Sequence, residues 1–275
     1  MGKSKDLATG AAYQDQTESD TRYVNASGDT MTGKLALTQA NSNTPPFVIE
    51  AATEPNDFSV SGYSDANGAY YMLGANMYLN SGGNTATWES SENSAGILLD
   101  SRGTNGVEFS TGTGTGTVNL KVDGSGRVTK PNQPAFMVVM TSAPTVTGTS
   151  NSTLPWNSEI FDVGSNFNTS NYRFTAPVAG KYYMHLHLEL HSDSSWTTST
   201  WTYVGDFWIN GTQKTGADYW GHSSKYNLIT NAVILDLNAN DYVDVRARAN
   251  NNTLRYSGDS AGAYFNCRWF GYLIG

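Results

Sequence analysis

From Tyr182 to His191 apolar and polar residues alternate without a break. Tyr182, Met184, Leu186, Leu188 and Leu190 fall on one face, and Tyr183, His185, His187, Glu189 and His191 on the other. Strict period two over ten residues predicts a half-buried strand with its first face on a core. The second face is neither apolar nor simply solvating, so it needs a partner of its own. Ala176-Pro177 and Ala179-Gly180 punctuate the approach to this strand. Upstream the pattern is one of shorter strands, at Phe47–Glu50, Phe58–Tyr63, Ala69–Leu73, Asn76–Leu79, Ile97–Asp100, Gly106–Phe109 and Val118–Val122, with Gly/Ser/Asn turns between them. Their apolar content is low, and a self-sufficient core is not expected there. A stacked or intertwined shaft in which chains supply each other's core fits better. Tyr23–Leu37 reads as a short strand, a Gly-Asp turn and an alternating strand with Met31, Leu35 and Leu37, too small to fold alone. No window carries a long helical period, so the expected fold class is all-β.

Composition supports this. Charged residues make up 15% of the chain, below the usual figure of about 25%, and Gly, Ser, Thr and Asn take their place beside 16 Tyr and 7 Trp. That mix favours strands and turns. A net charge of −8 with no basic stripe argues against a nucleic-acid partner. One cysteine, Cys267, allows no disulfide within the chain and reads as a small buried hydrophobe. No apolar run is long enough for membrane insertion, and MGKSKDLATGAAYQDQ has no apolar leader region. Asn168-Thr169-Ser170 and Asn210-Gly211-Thr212 match glycosylation sequons, which without a leader are chance in an Asn/Thr-rich chain.

Phe174, Ala176-Pro177 and Gly180-Lys181-Tyr182-Tyr183 together resemble the signature of the complement C1q globular head, a relative of tumour necrosis factor. Met184 stands where an aromatic is usual. Phe161, Asn168 and Tyr172 resemble the family's upstream pattern with a shifted spacing. Trp208-Ile209-Asn210-Gly211 resembles its Asn-Gly hairpin, Val233–Asp241 its acidic turn with Asn240 for the usual Gly, and Ala263–Ile274 its closing strand. The resemblance implies a ten-stranded jelly roll that forms a tight homotrimer. In such a trimer the strand at Tyr182–His191 lies on the inner sheet, with Tyr183, His185, His187 and Glu189 toward the axis.

Tyr23–Leu37, reading YVNASGDTMTGKLAL, is similar to an element recurring in bacteriophage tail fibres, where three copies share a core. Val122–Val128 resembles an element that often ends such shafts. The resulting layout is an attachment arm at residues 1–22, expected to dock on a virion protein, a trimerisation element at 23–46, a β-rich shaft at 47–130 and a C1q-like head at 131–275, with Lys130–Pro134 as the linker.

Three constellations are candidates for function. His185 and His187 lie about 7 Å apart on one face of a strand, so both can aim at one ion. Three chains would bring six imidazoles to an axis, a set suited to octahedral iron or nickel more than to tetrahedral zinc. Without a metal the same residues pack and hydrogen-bond, and their protonation near the axis would weaken a trimer at low pH. Trp196, Tyr219 and Trp220, in loops rich in Ser, Thr and Gly, and Trp201, which follows the first loop at the start of an expected strand, offer flat faces and short polar groups for a host-surface glycan or protein. Glu89, Glu92 and Asp100 could in principle supply a glycosidase pair, but no nucleophile elbow or zinc-protease motif occurs and no catalytic residue is assigned. The expected function is a homotrimeric phage tail fibre, made in the bacterial cytoplasm and assembled into the virion, whose head binds the host cell. The alternatives are a structural decoration or collar fibre, a polysaccharide depolymerase, and a secreted C1q-like lectin, the last disfavoured by the missing leader and the phage-like element.

Overall fold

A computed structural model describes residues 45–50, 57–102, 106–191, 201–215, 218–220, 226–249, 253–258 and 266–275. The attachment arm, nearly all of the trimerisation element and Trp196 lie outside these residues. The chain divides into two compact units, Met1–Arg102 with Thr113–Thr115, and Gly103–Gly112 with Gly116–Gly275. The described residues are all-β, and no helix among them is long and apolar enough to cross a membrane.

In the first unit, strands Phe47–Ile49, Phe58–Asp65, Gly68–Ala75 and Asn93–Asp100 lie side by side in an antiparallel sheet. Each contains one of the short strands expected there or, at Phe47, nearly coincides with it. Between the last two, the chain runs over one side of the sheet and places Met77 and Leu79 with Tyr70 and Met72 in a small core. Gly74 and Gly96 make this approach possible, since a Cβ on Gly74 would fall 2.0 Å from the Met77 carbonyl oxygen and one on Gly96 2.6 Å from the Met77 sulfur. Asn76 pins the excursion, its side chain donating to the Glu89 carbonyl at 2.8 Å and accepting from the Glu89 amide at 3.0 Å.

The second unit begins with a β-meander, Gly106–Thr113, Thr117–Val122 and Val128–Thr129, and continues into the jelly roll. One sheet orders its strands as Thr145–Thr147, Thr253–Tyr256, Gly180–His191, Arg268–Leu273, Ala135–Val139 and Ser158–Val163, with Tyr226–Leu237 also paired along Gly180–His191. The other runs Phe167–Asn168, Arg173–Thr175, Tyr242–Arg248, Trp201–Ile209 and Thr212–Gln213, with two further short strands on its flanks. Several of these strands are two- or three-residue pairings at sheet margins, which is why they outnumber the ten of the expected jelly roll.

The core between the two sheets is aromatic. Phe136 stacks on Phe174 at 4.6 Å and meets Trp269 edge-on at 5.1 Å, while Phe167 and Trp156 approach Trp269 at 5.4 and 6.0 Å. All five apolar residues of the alternating strand, Tyr182 to Leu190, are fully buried here. The single thiol, Cys267, is buried beside Glu189, and burial pushes its pKa up to about 12. The Asn-Gly hairpin forms as read: Asn210 and Gly211 take positive φ and Ile209 pairs with Thr212, the two-residue turn that matches strand twist. Asn240 also adopts positive φ, a conformation open to Asn as well as Gly.

Candidate functional site

The second face of Gly180–His191 sits at the centre of a broad sheet surface. Register places its residues in rows. One row runs Phe161, Met137, Phe270, His185, Ala232, and the next Val163, Ala135, Tyr272, Tyr183, Ile234. Arg268 and Thr230 flank His187, and Leu228 stands opposite Glu189. The two central rows contain no acid and no lysine or arginine. Phe161, Tyr272, Ile234 and Leu228 are large apolar side chains left exposed on this surface.

Aromatic contacts knit it together. Tyr183 approaches Tyr272 at 5.4 Å and His185 stacks on Phe270. The Nδ1 atom of His185 is buried and has no hydrogen-bond partner. Burial, then Arg268, then His187 lower the His185 pKa; burial and Arg268 lower that of His187, with Glu189 opposing. Glu189 accepts a 2.5 Å hydrogen bond from the Ser257 hydroxyl and is thereby turned to the neighbouring strand. Tyr183, His185, His187 and Glu189 thus share one surface. Among the described residues no group of three or more His, Cys, Asp or Glu converges within one chain.

Of the candidate contact aromatics, Trp201 stands directly opposite Trp220 in register, and Tyr219 opposite Thr202. Of the carboxylates considered for hydrolysis, Asp100 is gripped by Arg102 through two contacts of 3.0 Å. Glu89 is hydrogen-bonded by Ser91, which lowers its pKa and suits it poorly to donate a proton. A cleft of about 490 Å³ beside Gln133, Asn166, Val178 and Leu273 has Lys130, among the described residues, as the one ionisable side chain in its lining.

A cluster on the other sheet escaped sequence reasoning. Asp244, fully buried, accepts from Arg246 Nε at 2.7 Å and Nη2 at 3.0 Å and from Arg173 Nε at 3.3 Å. Arg246 lies over the Trp208 ring at 4.5 Å and Arg173 over Tyr242 at 4.0 Å. The signal was the alternation of Tyr242, Asp244, Arg246 and Arg248 along one strand, which places polar groups on the outer face.

Residues 135–274 match the C1q domain family. Among solved structures the chain is similar to the globular domain of zebrafish complement 1qA protein, at 16% identity and a TM-score of 0.38 over 52% of this chain and 98% of that one. It is also similar to murine APRIL, at 13% identity and a TM-score of 0.39 over 52% of this chain and 99% of the other. No curated protein matches it.

Proposed function

The chain belongs to the C1q domain family, and from that premise we propose that it is a homotrimeric bacteriophage fibre whose C-terminal head binds the host cell surface. The observation that carries the trimer is the aromatic, uncharged centre of the inner sheet, with Tyr272 and Ile234 exposed beside half-buried His185. An isolated head would leave that surface in water, whereas a threefold buries it. The fibre role is supported by the Tyr23–Leu37 element. Host binding is supported by the tryptophans of the second sheet, where Trp201 and Trp220 stand opposite each other. Three weak sites per fibre and several fibres per particle multiply a modest affinity.

Adsorption of the fluorescently labelled full chain to a panel of bacterial cells tests this reading. Binding that is lost when Trp196 and Trp220 become Ala supports it. Binding to no strain, from a chain that still assembles into the virion, favours a decoration or collar fibre, and release of sugar from envelope polysaccharide favours a depolymerase.

A further inference from the structure

The strands of the first unit carry apolar side chains on both sides of their sheet. The self-covered side, beneath Met77 and Leu79, holds Tyr70 and Met72 together with Ser59, Ser61, Ser94 and Asp100, all buried. Ser59 donates to the Met77 carbonyl at 2.9 Å and Ser61 accepts from the Leu79 amide at 2.9 Å. The opposite side carries Phe47, Ile49, Phe58, Tyr71, Leu73 and Leu99, each between 38% and 57% exposed. Register makes this side continuous, with Phe47 opposite Val60, Val60 opposite Leu73, and Leu73 opposite Ile97. An antiparallel sheet with one wet face normally points its apolar residues inward and its polar ones to water. Here Met77 and Leu79 cover one side only, and the apolar residues of the other side have no such cover.

Six large side chains exposed to this degree present roughly 600 Å² of apolar surface. That approaches the roughly 800 Å² each partner gives to a standard interface. No charged residue occupies a strand position on this face. A charge-steered partner therefore has nothing to grip, whereas a like face loses nothing by desolvation.

We propose that this face packs against the same face of other copies of the chain, so that three sheets enclose an apolar core no single chain possesses. The number three rests on the trimer proposed above; the face itself requires only another copy. A chain held as a trimer by its head meets its own copies at high effective concentration, which favours them over any free partner.

The test replaces Tyr71 in the full-length chain with the photocrosslinker p-benzoylphenylalanine, which keeps an aromatic at an exposed position. Illumination should give covalent dimers and trimers on a denaturing gel, with the crosslink mapping to Phe58–Asp65, Gly68–Ala75 or Asn93–Asp100 of another copy. A crosslink within one chain to residues 1–44, or monomer bands alone, overturns the proposal. Leu73→Glu should lower the thermal midpoint by several degrees, and an unchanged midpoint overturns it too. Native mass separates the two readings. A monomeric chain sinks both, while a trimer without Tyr71 crosslinks sinks this one alone.

Discussion

His185 stacks on Phe270 with ring centroids 4.7 Å apart and planes inclined by 26°, so a titratable ring is built into an aromatic row. Burial first, then Arg268 and His187, disfavours its protonation, and no acid sits in its row. In the unfolded chain the imidazole takes a proton near pH 6.5; in the folded chain it resists to lower pH. The unfolded state therefore binds more protons in that window, and stability rises with pH there and falls on acidification. The thermal midpoint of the metal-free chain is expected to drop between about pH 7 and about pH 5, and His185→Phe to flatten that slope. A slope unchanged in the variant would take His185 out of the account.

Gly271 faces Met184 across two paired strands. A Cβ on Gly271 would fall 2.4 Å from the Met184 sulfur and 2.9 Å from the Tyr183 carbonyl oxygen. Gly271→Ala should destabilise by about 1–3 kcal/mol in urea unfolding. Met184→Ala in the same chain should return only part of this loss, because the backbone contact remains.

Asp244 holds two arginines on the second sheet. Asp244→Asn leaves both cations without their buried counter-charge and should cost on the order of 2 kcal/mol, reduced from a fully buried pair because both arginines reach solvent. Arg173→Gln, at the longer of the contacts, should cost less. Equal losses from the two variants would show that the carboxylate is not the anchor.

Native mass spectrometry of the full chain should give a trimer of about 89 kDa, three times 29.7 kDa. An added mass of one transition-metal ion, lost in His187→Ala, would make His185 and His187 its ligands. A trimer at its unadorned mass leaves them to packing.

Much of the head was legible because its signals are local. The alternation of Tyr182–His191 fixed which side chains enter the core, and Asn210-Gly211 fixed a hairpin through backbone conformation alone. Met184 filled its place because Gly271, 87 residues away in sequence, leaves room for it. The Asp244 cluster was not legible, since Arg173 comes from a separate strand and the alternation of Tyr242–Arg248 does not tell that Asp244 is buried between two arginines. Nor was the uncovered apolar side of the first unit's sheet. Phe58–Asp65 announces a strand, but which side the chain would cover was decided by Met77 and Leu79, and that choice depends on the space at Gly74 and Gly96.

The lone thiol has a practical bearing. Cys267 is walled in and stays protonated well above neutral pH, so alkylating dyes and mild oxidants have no thiolate to attack. The chain is in effect cysteine-free to reagents without any substitution. A cysteine placed at a chosen surface position would be the one site to label, which gives spectroscopic distances between copies direct access to the native sequence.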